Sequence, residues 1–172
     1  IFVSDVTGEN AIIVVPGAAG GLSSKDVEAA RGDIERAKVF VTQLEQPIPV
    51  AVHALKMARA AGVTTILNPA PAASLPDGML ALCDYVTPNE SEAAALTGLP
   101  VTSIAEAEVA ARALRALGAG AAIITLGEKG ALYQDATRTV HGPPCYAGPV
   151  VETTGAGDAF NGGFAAALAE GQ

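Results

Sequence analysis

Short apolar segments alternate with amphipathic segments along most of the chain. From residue 25 onward, each apolar run is followed by a stretch in which apolar side chains recur at the spacing of one helix face. The apolar runs lack regular polar alternation, which is expected for strands that are covered on both faces of a parallel sheet. We therefore predict a single α/β domain with a doubly wound, mostly parallel sheet flanked by helices.

Capping and turn residues mark the individual elements. We predict a short antiparallel hairpin at the N-terminal edge from residues 1–6 and 10–15, then a loop over 16–21. Helices are predicted over residues 25–37, 47–61, 75–82, 89–98, 103–117 and 158–170. Strands are predicted over residues 39–44, 63–67, 85–86, 121–125 and 150–153, with a second hairpin from 131–134 and 137–140. Ser103 and Glu106 have the spacing of a capping box.

The charge balance limits the kind of partner. The chain has 172 residues, with 10 Lys and Arg against 18 Asp and Glu, a net charge of −8. This excess of negative charge argues against a nucleic acid or an anionic membrane as partner. A phosphate-binding site in such a chain would rely on backbone N–H groups, helix ends and metal ions instead of a basic patch.

The apolar runs and the cysteines indicate a cytoplasmic location. No apolar run approaches the roughly 20 residues that span a bilayer, and no signal peptide is apparent. Cys83 and Cys145 are far apart in the sequence, so we expect free thiols. His53 and His141 lack partners at metal-ligand spacing, so we expect structural roles for them. The chain does not begin with Met, and we expect it to be a piece of a longer protein.

Unusual polar and glycine residues follow several of the predicted strands. Ligands of open parallel sheets bind beyond the carboxyl ends of the strands, so these segments are candidates for a site. They lie at residues 43–45, 68–72, 87–92, 125–130 and 152–158. The last segment contains Gly155 and Gly157 directly before a predicted helix that begins with Asp158.

This Gly-rich turn has the chemistry of an anion site. Gly155 and Gly157 allow a sharp turn and close approach of a ligand, and the first N–H groups of the helix point into the turn. Asp158 could accept a proton from an attacking hydroxyl. Alternatively, Asp158 only favours the helix dipole and the glycines only permit packing. No Gly-Lys-Ser/Thr run is present, and Phe160 stands where a dinucleotide fingerprint needs its third glycine.

The order of these motifs resembles one family. The segment from Gly155 to Gly162 resembles the C-terminal signature of the ribokinase-like (PfkB) carbohydrate kinases, and of the ribokinases among them most closely. Residues 68–72, 87–92 and 124–127 recur there in the same order and at similar intervals. The resemblance implies a ribokinase-like fold and ATP-dependent phosphorylation of a sugar hydroxyl, D-ribose to D-ribose 5-phosphate, with Mg²⁺ as cofactor.

The resemblance also implies a role for particular residues. Asp158 matches the catalytic base that deprotonates the sugar hydroxyl, and the amides of Gly155, Ala156 and Gly157 match the anion hole. Asn89 and Glu92 match an Asn-x-x-Glu motif that organises Mg²⁺ and the phosphates, with Glu92 acting on the metal indirectly. The remaining matches are Thr125, Gly127 and Gly130 at the nucleotide, Glu45 at the sugar, and Glu152 at a monovalent-cation site.

Some features depart from the family pattern. Glu152 stands where ribokinases usually have Asp, and its extra methylene leaves activation by K⁺ open. The family's N-terminal sugar-binding segment, its β-sheet lid and its final helices have no counterpart in residues 1–172, so we expect these residues to form a partial kinase domain. We expect weak or no activity from these residues alone. The lid also carries the family's homodimer contact, which leaves the oligomeric state open.

Two other kinds of function stay open from the sequence. The first is another kinase of the same family, acting on fructose, a ketodeoxy acid such as ketodeoxygluconate, or a nucleoside. The second is a non-catalytic module that binds a nucleotide or a sugar. The intact Gly155-Ala156-Gly157-Asp158 turn counts against a degenerate, non-catalytic relative.

Overall fold

The computed structural model describes residues 2–3, 10–11, 14–145, 148 and 153–172. The strands are β1 (Phe2–Val3), β2 (Asn10–Ala11), β3 (Val39–Thr42), β4 (Thr64–Leu67), β5 (Tyr85–Val86), β6 (Ala121–Thr125), β7 (Ala131–Gln134) and β8 (Thr139–Gly142). The helices are α1 (Gly17–Gly20), α2 (Ser24–Ala29), α3 (Arg31–Arg36), α4 (Ile48–Ala60), α5 (Glu90–Thr97), α6 (Ile104–Ala116) and α7 (Ala156–Glu170). Single 3₁₀ turns lie at Leu80–Leu82 and Gly127–Lys129.

Six strands form one sheet in chain order, from β3 at one edge to β8 at the other. The pairs from β3 to β6 are parallel, and β7 and β8 add two antiparallel pairs. The predicted mostly parallel sheet flanked by helices is thus confirmed. β1 and β2 pair antiparallel in a separate two-stranded sheet, which confirms the strand pairing predicted at the N-terminal edge.

The two faces of the sheet are covered by different helices. On one face, Leu67, Val86 and Ile124 are fully buried in a cluster that α4, α5 and α6 complete. Successive side chains of a strand point to opposite faces, so Tyr85 points to the other face. There it meets Phe164 of α7 edge-on, with ring centroids 5.0 Å apart. The sheet therefore lies between α7 on one face and α4, α5 and α6 on the other.

The N-terminal helices differ from the prediction. The loop predicted over residues 16–21 contains the single helical turn α1, so that prediction is wrong. The single helix predicted over 25–37 is two short helices, because the chain changes direction at Ala30. The Ala30 N–H donates to both Asp26 and Val27 carbonyls at 3.1 Å, which closes α2 with a tight turn. Gly32, the second residue of α3, also lowers the helix propensity of the chain just after this turn.

Several boundaries also shifted. The second strand of the β7–β8 hairpin begins at Thr139, two residues later than predicted, because Asp135 Oδ1 accepts the Thr137 and Arg138 N–H groups at 2.7 and 2.9 Å and extends the turn. The helix predicted over 75–82 is only the 3₁₀ turn at its end. α7 begins at Ala156, two residues earlier than predicted. Of the strand predicted over 150–153, only the last residue lies among the described residues.

The capping box predicted for α6 forms only in part. Ser103 Oγ accepts the Glu106 N–H at 3.2 Å, as the prediction requires. The Glu106 carboxylate, however, accepts the N–H and hydroxyl of Thr102 at 2.7 and 2.6 Å instead of the Ser103 N–H. Thr102 has a hydroxyl as well as an N–H, so it offers the carboxylate two donors where Ser103 N–H would offer one.

Gly130, in the turn between β6 and β7, should tolerate substitution least in this part of the fold. Its φ is +88°, and a Cβ there would clash with the Gly142 carbonyl oxygen. Gly127→Ala is a matched control, since Gly127 has φ +56° but open space around it. We expect Gly127→Ala to cost about 1–2 kcal/mol for its left-handed backbone alone. Gly130→Ala should cost about 1–3 kcal/mol more from the clash. Equal free energies of unfolding in urea would contradict this prediction.

Candidate functional site

The first turn of α7 carries the predicted anion site. Gly155 caps the helix in a left-handed conformation with φ +76°, and this turns the chain sharply before Ala156. The Ala156 N–H donates to the Thr153 carbonyl at 3.1 Å, so the prediction of a free Ala156 amide is wrong. Among the described residues, the N–H groups of Gly155, Gly157 and Asp158 have no acceptor. The Ala156 amide closes the turn, so within the described part of the chain the donors left for a ligand are those of Gly155, Gly157 and Asp158.

Asp158 lies in a cleft at the end of β3. Its carboxylate is exposed, and Oδ1 accepts a hydrogen bond of 2.8 Å from Gln43 Nε2. Asp158 lines a cavity of about 460 Å³ together with Gln43, Gln46 and Asn68, whose side chains offer amide donors and acceptors. Asn161 and Gly162 of α7 line the same cavity. The carboxylate is thus placed where it can meet a polar ligand.

The predicted nucleotide residues lie together. Asn89, Thr125, Gly127 and Gly130 line one cavity of about 860 Å³. This cavity also contains Ala156, Gly157 and Phe160 of α7, with Pro143, Pro144 and Cys145 on another wall. Residues 156 and 157 thus line this cavity, and residue 158 lines the polar cavity described above. The first turn of α7 therefore contributes to both.

Asn89 and Glu92 form a reciprocal cap at the start of α5. Asn89 Oδ1 accepts the Glu92 N–H at 2.9 Å, and Glu92 Oε2 accepts the Asn89 N–H at 2.8 Å. Ser91 Oγ also donates to Asn89 Oδ1. One oxygen of each side chain is therefore used to hold the helix end. Asn89 lines the larger cavity, whereas Glu92 does not.

Glu92 is a charged group in a buried position. It is 7% exposed, and burial raises the pKa of its carboxyl above the ordinary value. The hydrogen bond from the Asn89 N–H lowers the pKa by a smaller amount. Keeping this carboxylate ionised near neutral pH costs folding free energy that a neutral side chain would not cost.

Among the described residues, three predicted site residues line neither cavity: Glu45, Glu92 and Gly155. Glu45 is exposed beyond the end of β3 and lines neither of them, so its role at a sugar stays a prediction. Glu152 lies outside the described residues. Within the described ranges, no group of three His, Cys, Asp or Glu side chains could hold a metal ion.

The cysteines and histidines have structural surroundings. Cys83 is buried and free, and burial raises the pKa of its thiol to about 12, so it stays protonated near neutral pH. Cys145 is free and exposed. His53 Nε2 lies 2.8 Å from Glu28 Oε1, and His141 Nε2 lies 2.7 Å from the Lys129 carbonyl oxygen. Both histidine rings thus have protein partners.

A buried polar pair holds α7 against the sheet, and sequence reasoning missed it. Thr87 Oγ1, just beyond β5, donates to Asn161 Oδ1 at 2.7 Å, and Asn161 Nδ2 donates to the Gly157 carbonyl at 2.9 Å. Thr87 and Asn161 are 1% and 6% exposed. Asn68 Nδ2 also donates to the Thr87 carbonyl at 2.8 Å. The only sequence signal was that each residue lies inside a motif already singled out.

Comparison with known proteins points to one family. The family model described as pfkB family carbohydrate kinase matches residues 1–172. The chain is 39% identical over 166 residues to deoxyribokinase of Salmonella typhi, and 39% identical over 165 residues to ribokinase of Staphylococcus aureus. Each alignment covers 96% of this chain and 54% of the relative. The chain therefore spans about half the length of the curated relatives it matches.

Solved structures agree with these sequence matches. Arabidopsis thaliana ribokinase complexed with ribose and ATP superposes with a TM-score of 0.84 at 31% identity, over 96% of this chain and 54% of that chain. Ribokinase from Thermotoga maritima gives a TM-score of 0.83 at 33% identity, with the same coverage.

Of the helices that the structure describes, none is long and apolar enough to cross a membrane.

The Thr87–Asn161 pair should be energetically coupled. Thr87→Val removes the donor and leaves Asn161 Oδ1 buried without it, so we expect a cost of about 1–3 kcal/mol. Asn161→Ala should cost a similar amount, and the double variant should cost clearly less than the sum, because the shared hydrogen bond is lost only once. Urea denaturation of the four proteins measures this, and strict additivity would contradict it. Thr97→Val is a control, since the Thr97 hydroxyl donates to the Ala93 carbonyl and accepts the Leu99 N–H, and neither contact involves α7.

Glu92→Gln should raise the free energy of unfolding more at about pH 7.5 than at about pH 4.5. Burial raises the folded-state pKa of this carboxyl, so its contribution to folding stability is fully present below its unfolded-state pKa. That contribution is lost as the pH rises through the folded-state pKa, because the buried carboxyl then ionises. Gln keeps an acceptor for the Asn89 N–H but cannot ionise.

Urea denaturation at both pH values measures the effect, with Glu90→Gln in the same helical turn as the control. Glu90 lies 3.7 Å from Lys129 Nζ and is partly exposed, so its substitution should change stability little at either pH. A Glu92→Gln effect that does not depend on pH would contradict the role assigned to burial.

Proposed function

Because the chain belongs to the pfkB family of carbohydrate kinases, we propose that a complete kinase containing it phosphorylates a sugar hydroxyl with ATP. This chain supplies the phosphoryl-transfer part of that enzyme. The observation that carries the proposal is the position of the first turn of α7. Its residues line both a cavity that holds the predicted nucleotide residues and a polar cavity that contains Asp158.

The larger cavity suits a nucleotide. Its lining combines the polar strand-end residues Asn89 and Thr125 with the apolar surfaces of Phe160 and two prolines. The turn over Gly127–Lys129 contributes its glycine at one edge, which lets a ligand approach the backbone closely. The phosphates would reach the N–H groups of Gly157 and Asp158, whose direction and partial positive charge favour an anion.

Asp158 then acts on the acceptor. Its carboxylate takes the proton of the sugar hydroxyl as the hydroxyl oxygen attacks the γ-phosphorus. The bond from that phosphorus to the oxygen bridging the β-phosphate breaks, and ADP leaves. Charge that spreads over the transferring group is stabilised by the N–H donors of the helix end.

Mg²⁺ would enter this site with the nucleotide. Magnesium ions keep several waters and are usually bound through one or two carboxylates plus substrate phosphates, so the lack of a three-ligand cluster among the described residues fits this mode. When bound, the metal would supply positive charge that offsets the negative charge of the phosphates. Glu92 would act on it only indirectly, since one carboxylate oxygen holds the Asn89 N–H. Glu152 and K⁺ stay predictions from the resemblance.

D-ribose is the proposed acceptor, with D-ribose 5-phosphate as the product. The ribokinase and the deoxyribokinase matched here are equally similar to this chain, at 39% identity. This makes 2-deoxyribose the second candidate acceptor. The two acceptors differ in a single hydroxyl. The resemblance assigns Glu45 and Asp158 of this chain to the sugar.

Asp158→Asn in the complete kinase should lower kcat for ribose phosphorylation by about 10²–10⁴-fold, because the proton acceptor is lost. The affinity for ATP should stay nearly unchanged, since Asp158 lines the other cavity. ADP release measures turnover, and calorimetry measures ATP binding. Asp33→Asn, a change at an exposed surface carboxylate, is the control. Retained turnover in Asp158→Asn would contradict the role of proton acceptor.

The same ADP-release assay on a panel of ribose, 2-deoxyribose, fructose, ketodeoxygluconate and a nucleoside tests the acceptor. We expect ribose to give the highest kcat/KM. A higher value for another sugar would replace ribose while keeping the kinase assignment. ATP binding without ADP release for any sugar would instead favour a non-catalytic binding module.

A further inference from the structure

The side chain of Gln43 is the only described group that holds the Asp158 carboxylate. Its Nε2 donates to Asp158 Oδ1 at 2.8 Å, across 115 positions of sequence. Asp158 is exposed on the first turn of α7, and no other described residue donates a hydrogen bond to this carboxylate. Without Gln43, the carboxylate would be free to rotate about its side-chain bonds in solvent.

Gln43 itself projects from a fixed segment of backbone. Gln46 Nε2 folds back and donates to Thr42 Oγ1 and to the Gln43 carbonyl, each at 2.7 Å. The next N–H, that of Leu44, donates to the Ala70 carbonyl at 2.8 Å. Leu44 is buried in the main core. The chain beyond β3 is therefore held on both sides of Gln43, so its amide has a defined place from which to reach Asp158.

The hydrogen bond selects which carboxylate oxygen is left for a ligand. Oδ1 is occupied by Gln43, and Oδ2 lies on the side of the Gly-rich turn, where a Cβ at Gly155 would lie 4.0 Å from it. Of the two carboxylate oxygens, Oδ2 is thus the one nearer Gly155 in the turn. An amide donor carries no net charge, so it orients the carboxylate without neutralising it.

We propose that Gln43 is a positioning residue for phosphoryl transfer, which fixes Asp158 so that Oδ2 meets the acceptor hydroxyl beside the helix end. The proposal rests on the proposed function, because it assigns Asp158 as the proton acceptor. Gln43 does not touch the reacting atoms; it acts through the carboxylate. It lines the polar cavity and not the nucleotide cavity, so its effect should appear in turnover and not in nucleotide binding.

The test compares Gln43→Met and Gln43→Ala with the unsubstituted protein in the complete kinase, with ribose and ATP as substrates. Met has a similar length but no donor, and Ala also removes the side chain. Both variants lose the hydrogen bond to the charged carboxylate, which is then no longer held in position. We therefore expect kcat to fall by about 10-fold or more in both variants. KM for ATP and the thermal midpoint should change little. In an Asp158→Asn background, Gln43→Ala should cause no further loss in kcat.

The outcomes separate the two proposals. If the unsubstituted kinase turns over and both Gln43 variants keep its kcat, the role of Gln43 is wrong while the proposed function stands. A loss in kcat that persists undiminished in the Asp158→Asn background also overturns the inference, because Gln43 would then act independently of the carboxylate. If the unsubstituted kinase shows no turnover with any sugar, the proposed function fails and this inference fails with it.

Discussion

The attachment of the first turn of α7 to the ends of the parallel strands is the constraint on which the site depends. Thr87 and Asn161 join the end of β5 to the Gly157 carbonyl through two hydrogen bonds in a buried setting. Leaving one of these polar groups buried and unpaired would cost more folding free energy than the hydrogen bond contributes in net terms. The folded state therefore strongly favours keeping the two side chains paired. It fixes the helix end from which the N–H donors project.

This attachment places different chemistry on the two sides of one helical turn. Phe160 and Gly157 line the apolar-rich cavity, while Asp158 and Asn161 line the polar cavity. Side chains and backbone groups one residue apart on a helix point in different directions, so a single turn can serve both. The bound nucleotide and the acceptor would thus meet at residues 157 and 158 without any basic patch, which agrees with a net charge of −8.

Sequence reasoning predicted the α/β fold well because short apolar strands and capped helices have strong local signals. It found α5 with its Asn89 cap and Gly98 end, since both residues act within one turn of the helix. It missed the break at Ala30, where no Gly or Pro stands at the break itself. It also missed the Gln43–Asp158 and Thr87–Asn161 contacts, because these join residues 115 and 74 positions apart and exist only after the sheet has formed.

A structure of the complete kinase with ribose and a non-hydrolysable ATP analogue tests the assigned site most directly. We expect the terminal phosphate within hydrogen-bond distance of the Gly157 and Asp158 N–H groups, with a ribose hydroxyl beside Asp158 Oδ2. Phosphates bound away from the first turn of α7, or a sugar whose hydroxyls do not reach Asp158, would contradict this assignment.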